Sequence, residues 1–392
     1  MMHYDRSALN MKPAESKRTV GIFAVTSFLN DLGSDMIYPI WPLFVTGVLG
    51  ANMTVLGLID GLGDAIVSLS QAASGYFSDR LRKRKIFIVL GYVCGSLSRV
   101  GYAVSSAWPH LIPFRILDRA GKIRSAPRDA IIADVSTREN RGGNFGILRT
   151  MDNLGAVCGI LISIALLGSI GFKNLFFLAA IPSLIAVLLV IFAIKEKKPT
   201  DTRIFKGLRL KDLDRNFRLF LLLNALFSLG SFSYSFLLIY AKQYGFKLTT
   251  VPLLYLIFTA VAFLVSLPFG KLSDRIGRKK VMILAFIFWG MVCLSFILFH
   301  ASWAIAVTFV LYGLHRGALD TVQKTFVAEL CPEAYRASSL GGFQMVIGLC
   351  ALPASLIAGL LWDKLGILSP FYFSLGLTIF SSLLLIFVEE KR

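Results

Sequence analysis

The sequence predicts an all-α membrane protein, with twelve transmembrane helices in two pseudo-symmetric six-helix halves. Three observations carry that expectation. The 392 residues are 56% hydrophobic and only 16% charged, with a mean hydropathy of +0.69, whereas a soluble chain carries roughly 25% charged residues. A spanning helix needs about 20 apolar residues, and twelve of them with short connections use nearly the whole chain. Finally, the chain repeats itself. Gly75-Tyr76-Phe77-Ser78-Asp79-Arg80, followed by Arg82-Lys83-Arg84-Lys85, returns as Gly270-Lys271-Leu272-Ser273-Asp274-Arg275, followed by Arg278-Lys279-Lys280. A second pair keeps the same offset: Asp134 with Arg141 seven residues on, and Glu329 with Arg336 seven residues on. Two motifs sharing one offset imply a duplicated unit, a common construction among secondary transporters.

Taken in order, residues 1–18 read as a polar N-terminal segment. Apolar spans are expected near 19–47, 53–77, 85–106, 109–134, 142–169 and 173–194, which make the first half, 19–194. The charged stretch 195–215, with Pro199 and Gly207, reads as the linker. The second half, 216–392, holds spans near 216–243, 250–271, 280–299, 302–330, 337–361 and 367–388 and a short tail. Pro39 and Pro42 in the first span and Pro127 in the fourth predict kinks, because proline removes a helix hydrogen bond.

The net charge of +18 fits the positive-inside rule. Basic residues gather at the N-terminus, after the second span, in the linker and after the eighth span. The connections at 48–53, 106–110 and 300–302 contain no Lys or Arg. With an even number of spans, both termini and the linker are placed in the cytoplasm and the chain in the cytoplasmic membrane. No aromatic-basic pattern of a nucleic-acid module appears, and residues 1–18 do not read as a secretory signal. The five cysteines lie in or at the ends of spans, so no disulfide framework is expected. Neither they nor the four histidines show metal-ligand spacing, and no metal or cofactor is expected.

Gly75-x-x-x-Asp79-Arg80 and its basic cluster resemble the signature loop of the major facilitator superfamily, between that family's second and third helices. The second copy falls where the family repeats it, between helices eight and nine. The Asp134/Arg141 and Glu329/Arg336 pairs resemble the family's signature at the ends of helices four and ten. The resemblance covers essentially the whole chain. It implies two six-helix halves, a central cavity lined by helices one, four, seven and ten, and alternating access by rocking. It says little about the solute, since one fold carries many chemistries.

The motif residues also read physically. An Asp at a helix end can pair with an Arg or with the positive N-terminus of a neighbouring helix. Gly75, Asp79, Arg80, Asp134 and Arg141 in the first half, and Gly270, Asp274, Arg275, Glu329 and Arg336 in the second, are therefore candidates for a conformational latch. Asp134 with Arg141, and Glu329 with Arg336, are the expected local partners. The competing reading is that the basic residues only fix topology.

Ionisable residues inside a membrane are costly and are functional candidates by default. The first half is crowded with them: Asp31 and Asp35 in helix one, Asp60 and Asp64 in helix two, Arg99 in helix three, Arg115, Asp118, Arg119, Lys122, Arg124, Arg128 and Asp129 in helix four, and Arg149 and Asp152 in helix five. The second half offers Asn224, Tyr234, Tyr240, His315, Arg316, Asp320, Gln323, Lys324 and Gln344. The candidates for solute binding or proton coupling are Asp31, Asp35, Asp60, Asp64, Arg115, Arg119, Tyr234, His315 and Arg316. At about 1.5 Å rise per residue, Asp31, Asp35, Asp60, Asp64, Arg115 and Arg119 all reach the outer-to-middle band of the first half. Two readings stand beside each other. Either the four carboxylates neutralise Arg99, Arg115 and Arg119 as structural ion pairs, or one carboxylate takes a proton and one basic residue meets an anionic solute.

Gly155-Ala156-Val157-Cys158-Gly159-Ile160 resembles the helix-five signature of exporters in the superfamily, except that Ile stands where Pro is expected. Its small-xxx-small spacing predicts close helix packing. Secondary active transport of a small organic solute, coupled to protons and carried out by a single chain in the bilayer, is the function these features imply. Export of an amphipathic compound and uptake of an anionic nutrient or metal chelate both fit. No P-loop, H-E-x-x-H or G-x-S-x-G is present, so neither ATP-driven transport nor an enzyme is expected. A membrane-embedded sensor is the remaining alternative.

Overall fold

The computed structural model of the chain describes residues 13–81, 83–137, 140–194, 214–331 and 336–390. The first twelve residues, nearly all of the expected linker (195–213) and the side chains of Asp79, Arg141 and Arg336 lie outside the described residues. The described chain is helical throughout. The helices are α1 (Pro13–Asp35), α2 (Trp41–Leu43), α3 (Met53–Leu81), α4 (Lys85–Val104), α5 (Trp108–Ala120), α6 (Ser125–Asp134), α7 (Arg141–Ala193), α8 (Arg215–Gly230), α9 (Tyr234–Gln243), α10 (Val251–Ile276), α11 (Arg278–Leu298), α12 (Ser302–Leu330), α13 (Arg336–Leu365) and α14 (Ser369–Ile386). A π-helical turn, Phe44–Val48, continues α2, and a 3-10 turn, Gly121–Arg124, joins α5 to α6.

These stretches make the twelve expected spans, because several spans are interrupted. The first breaks after Asp35 and resumes at Trp41, with Pro39 in the gap and Pro42 in the first turn of α2. The fourth is interrupted at Gly121–Arg124, just before Pro127 in the first turn of α6. The fifth and sixth are joined through Gly171, whose φ of +74° is a left-handed conformation that glycine adopts without strain. The seventh breaks at Ser231–Ser233, an interruption that its apolar pattern does not announce. Ser233 then caps α9 by accepting a bond from the Ser235 N–H at 3.2 Å.

The chain divides into two compact units. Unit one holds the described residues up to Tyr38 and those of 69–194. Unit two holds residues 39–68 and everything described from Asp214 onward. Unit one has a core of Phe23, Ile88, Tyr92, Ile132, Leu148, Ala186, Val187 and Val190. Its helices meet at glycines. On α7, Gly155 and Gly159 leave room only for the backbone of α1 at Phe28 and Leu32, the close packing that their spacing predicts. Unit two is built on aromatic rings: Phe232, Phe236, Tyr240, Trp289, Phe296 and Phe371 contact one another edge-on or tilted, with centroids 4.6–5.8 Å apart. Large apolar side chains such as Phe192, Leu264, Leu267 and Phe380 are exposed, as expected of faces that meet lipid rather than water.

Among the described residues, eight helical segments are long and apolar enough to cross a membrane, and one of these, 142–193, has the length of two spans. The spans that fall short are α1, α5 with α6, and α12. Those three carry most of the intramembrane charge.

Candidate functional site

In unit one the buried charges form a continuous belt across α1, α4, α5, α6 and α7. Arg99 of α4 is 1% exposed. It donates to the Asn30 carbonyl at 3.1 Å, to Ser34 Oγ at 2.7 Å and to the Ala179 carbonyl at 3.1 Å. Gly33 makes this possible, since the guanidinium and the Ala179 carbonyl occupy the space that a larger residue there would take. Asn30, whose backbone Arg99 holds, donates from Nδ2 to Asp31 Oδ1 at 2.8 Å. Arg99 thus acts as a structural clamp satisfied by neutral oxygens.

One turn of α5 brings Arg115, Asp118 and Arg119 together. Arg115 is 2% and Arg119 9% exposed. Arg119 Nε lies 3.6 Å from Asp118 Oδ2, with both side chains 11% exposed. The same guanidinium donates to Tyr38 Oη at 3.2 Å and lies 4.9 Å over the Tyr38 ring. Such a cation–π contact gains strength when it is removed from water. Further along, Arg128 of α6 donates to Asp129 at 3.0 Å and to Ser27 Oγ at 2.8 Å. It also approaches Asp152 of α7 at 3.8 Å, which Arg149 approaches from the other side at 3.6 Å. Asp152 is 9% exposed and is held by two cations at more than hydrogen-bond distance. Arg124 bonds the Gly121 carbonyl at 2.8 Å and covers the Tyr92 ring at 5.1 Å.

Unit two buries little charge. Asp60 of α3, 2% exposed, accepts from Trp41 Nε1 at 2.9 Å, Ser233 Oγ at 2.8 Å and Ser235 Oγ at 2.5 Å. These neighbours belong to 39–68 and to the start of α9. Asp64 is exposed. His315 is 1% exposed, hydrogen-bonded through Nδ1 to the Ala285 carbonyl at 2.8 Å, and set among Phe227, Trp289 and Tyr312. Those surroundings are those of a core histidine. Arg316 pairs with Asp320 one turn on, at 3.0 Å, with the two side chains 42% and 54% exposed. Tyr234 meets Tyr255 edge-on at 5.1 Å. A buried amide pair that the sequence gives only as two scattered polar residues joins Gln323 to Asn224 at 2.9 Å. All five cysteines are free. Among the described residues no group of three or more His, Cys, Asp or Glu is placed to hold a metal.

The repeated motifs carry repeated contacts; the expected pairings with Arg141 and Arg336 fall on side chains outside the described residues. Asp134 is paired with Arg84, from the basic run after the first motif. Glu329 is paired with Arg278 at 3.0 Å, and Arg278 also reaches Asp274 at 2.5 Å. The Arg278 backbone N–H bonds the Glu390 carboxylate. The next residue repeats too: Lys85 Nζ donates to the Ile191 carbonyl at 2.7 Å, and Lys279 Nζ to the Ile386 carbonyl at 2.6 Å. The basic residues thus tie the signature loop to the ends of the fourth and sixth spans in one copy, and of the tenth and twelfth in the other. Arg80, Asp274 and Arg275 are exposed, and Gly75 and Gly270 lie within α3 and α10.

A chain of twelve spans, interrupted and charged where it bears polar chemistry, with loop contacts duplicated in its two halves, is in class a multi-pass secondary transporter. The chain belongs to the Major Facilitator Superfamily, whose sequence model matches residues 23–262 and 219–392. An uncharacterized MFS-type transporter of Methanocaldococcus jannaschii is 36% identical over 388 residues, 97% of each chain. The multidrug resistance protein MdtG of Salmonella paratyphi C is 27% identical over 336 residues, 80% of this chain and 81% of that one. Among solved structures, a mutant of the nucleoside transporter NupG superposes with a TM-score of 0.81 at 13% identity, covering 94% of this chain and 99% of that one. A bacterial homologue of the lysosomal transporter Spinster superposes with a TM-score of 0.71 at 15% identity, covering 96% of each. These structural likenesses establish the fold.

Proposed function

We propose that this transporter moves a small organic solute bearing an anionic or electron-rich group across the cytoplasmic membrane, by proton-coupled alternating access. The two six-helix halves, 19–194 and 216–392, would be joined by the cytoplasmic linker, and a single chain would suffice. The observation that carries the reading is the buried Arg115–Asp118–Arg119 cluster with Tyr38 over its guanidinium. It sets two guanidinium groups and a carboxylate together inside a span, where ionisable groups are costly and functional candidates by default. An incoming carboxylate or phosphate would meet Arg119, with Tyr38 offering an aromatic face to the rest of the solute.

Proton coupling is assigned to the carboxylates of the same unit. Asp31 and Asp35 lie one turn apart on α1, with Asp31 positioned by Asn30. Asp152 sits between Arg128 and Arg149, close enough for attraction and too far for a tight bond. A carboxylate so placed changes its proton affinity when a neighbouring cation moves or water enters. Export is favoured over uptake by one observation: a relative aligned over four-fifths of the chain is named a multidrug resistance protein.

The test is flux in proteoliposomes against an imposed pH gradient, using a panel of anionic, neutral and cationic solutes chosen by thermal-shift screening. Proton-driven accumulation of an anionic solute that is lost in Arg119→Gln and in Asp31→Asn supports the reading. Transport that prefers cations, or that ignores the pH gradient in wild type, overturns it.

A further inference from the structure

Unit two contains a cavity where span ends meet. The π-helical turn Phe44–Val48, the start of α3, the last turn of α9 and the end of α13 enclose about 330 Å³. That volume suits a small molecule, since ligand pockets run from about 300 Å³ upward. Ile239 and Trp362, both buried, form part of an apolar wall. Lys242, Asn52 and Asp363 contribute polar groups.

The two charges on that wall are satisfied differently. Asp363 accepts from the Met53 N–H at 3.2 Å, the Thr54 N–H at 2.8 Å and the Thr54 hydroxyl at 2.6 Å. The positive N-terminus of α3 thus already meets its carboxylate. Lys242 is half-buried, and among the described residues its ammonium makes no hydrogen bond and no ion pair. A lysine in the last turn of a helix can bond that helix's final carbonyls. Lys242 instead lies against Gly47, where an added methyl group would sit 3.1 Å from Nζ. Topology gives no reason for a lysine here, because the charge pattern expects the 48–53 connection, and so this end of the spans, on the outer side. Asn52 accepts from the Val55 N–H through Oδ1 at 2.9 Å, which leaves its Nδ2 donors to the cavity.

We propose that this cavity is a binding site for the carboxylate or phosphate group of a small molecule, with Lys242 as its charge partner and Asn52 as its second donor. An ammonium carries several donors, and its bonds to an oxyanion are charge-assisted. Ile239 and Trp362 would meet the apolar remainder of the ligand. The site shares no residue with the Arg115–Asp118–Arg119 cluster, and it stands whether or not the chain transports an anion.

Protection of Lys242 from acetylation tests the site. The full chain in maltoside micelles, which carry no phosphate, is treated with a water-soluble amine-acetylating reagent. Inorganic phosphate, succinate or chloride is present at equal ionic strength, and peptide mass spectrometry follows each lysine. An anion at about ten times its dissociation constant leaves roughly one site in ten open, so phosphate or succinate should slow labelling of Lys242 about tenfold relative to chloride. Lys247 and Lys364, both exposed, should label at unchanged rates. A further arm, in nanodiscs, names the source of the anion. Protection by phosphatidylglycerol relative to phosphatidylcholine, with no added anion, assigns the site to a lipid headgroup, whereas protection by phosphate or succinate in micelles assigns it to a soluble molecule. Equal slowing at all of these lysines, or no slowing at Lys242 in any arm, overturns the site. Asn52→Asp keeps a side chain that caps helices well but turns a donor of the cavity into a carboxylate. It should lose the protection, and undiminished protection in this variant overturns the assignment. Thermal melting gives an independent readout: phosphate or succinate should raise the melting temperature of wild type more than that of Lys242→Gln, and equal rises overturn the site.

Discussion

Unit one and unit two hold helices together by different means. Unit one buries arginine: Arg99, Arg115, Arg119 and Arg124 are each 9% exposed or less, and their guanidinium groups find carbonyls, hydroxyls, carboxylates and rings. Unit two buries rings: Trp289 is 1% exposed, and Phe232, Phe296 and Phe371 surround it or one another. Arginine bonds are directional and each needs a partner at the right angle, so unit one is polar and specific. Ring contacts tolerate small shifts, so unit two serves as the better scaffold. The difference teaches that a duplicated helical frame can keep its loop contacts while its interior splits into a part rich in buried arginine and a part rich in packed rings.

The sharpest way to break that comparison is to empty the aromatic core. Trp289→Ala leaves a cavity beside Phe232, Tyr312 and His315 and removes the indole donor to Ser374 Oγ, leaving it the Cys293 thiol. It should cost about 3–5 kcal/mol, read by denaturant unfolding in detergent, while the folded fraction keeps its solute preference. A changed preference would place recognition in unit two. Next, Gly155→Ala in unit one forces a methyl group against the Phe28 carbonyl. The cost should be about 1–3 kcal/mol, and a neutral result would mean that α1 and α7 separate freely.

Smaller effects sharpen the contrast. Arg278→Ala removes bonds to Asp274 and Glu329, both substantially exposed, so the loss should be about 1 kcal/mol or less and should shrink in high salt. Arg84→Ala, which loses Asp134, should cost less still, and a reversed order would show that the two copies do not share the task equally. Arg119→Gln keeps a polar side chain near Asp118 and should cost about 1 kcal/mol of stability. Its effect on transport should be at least about tenfold. A variant that instead fails to fold would make Arg119 a structural ion-pair member.

Much of the fold is legible because apolar length and duplicated motifs are local signals. The span boundaries at Met53, Lys85 and Ser302 follow from where polar loops stop, and Gly171 is readable as a break between two apolar stretches. The partners are less legible. Periodicity places Asp60 on a helix, yet it cannot tell that Ser233 and Ser235, 173 and 175 residues away, supply its hydrogen bonds. The break at Ser231–Ser233 lies in a serine- and glycine-rich stretch, Ser228 to Ser235, inside a longer apolar run, and that composition alone does not fix where the helix stops. Asp363 reads as a polar residue near a helix end until its contacts with Met53 and Thr54 are seen. The loop arginines illustrate a different limit. Arg84 and Arg278 sit in runs of similar basic residues, and only geometry picks the one that reaches a carboxylate.

The signature loop of the second copy is one residue shorter than that of the first: Lys85 follows Asp79 by six positions, and Lys279 follows Asp274 by five. Both lysines nevertheless reach the same place, the carbonyls of Ile191 and Ile386. Gly277, with φ at +102°, starts α11 immediately after α10 ends and absorbs the difference. The turn therefore accommodates either loop length. The same turn is the natural place to insert a residue, or a short tag, when redesigning the loop. An insertion at Ser231–Ser233 would instead move the hydroxyls that Asp60 requires.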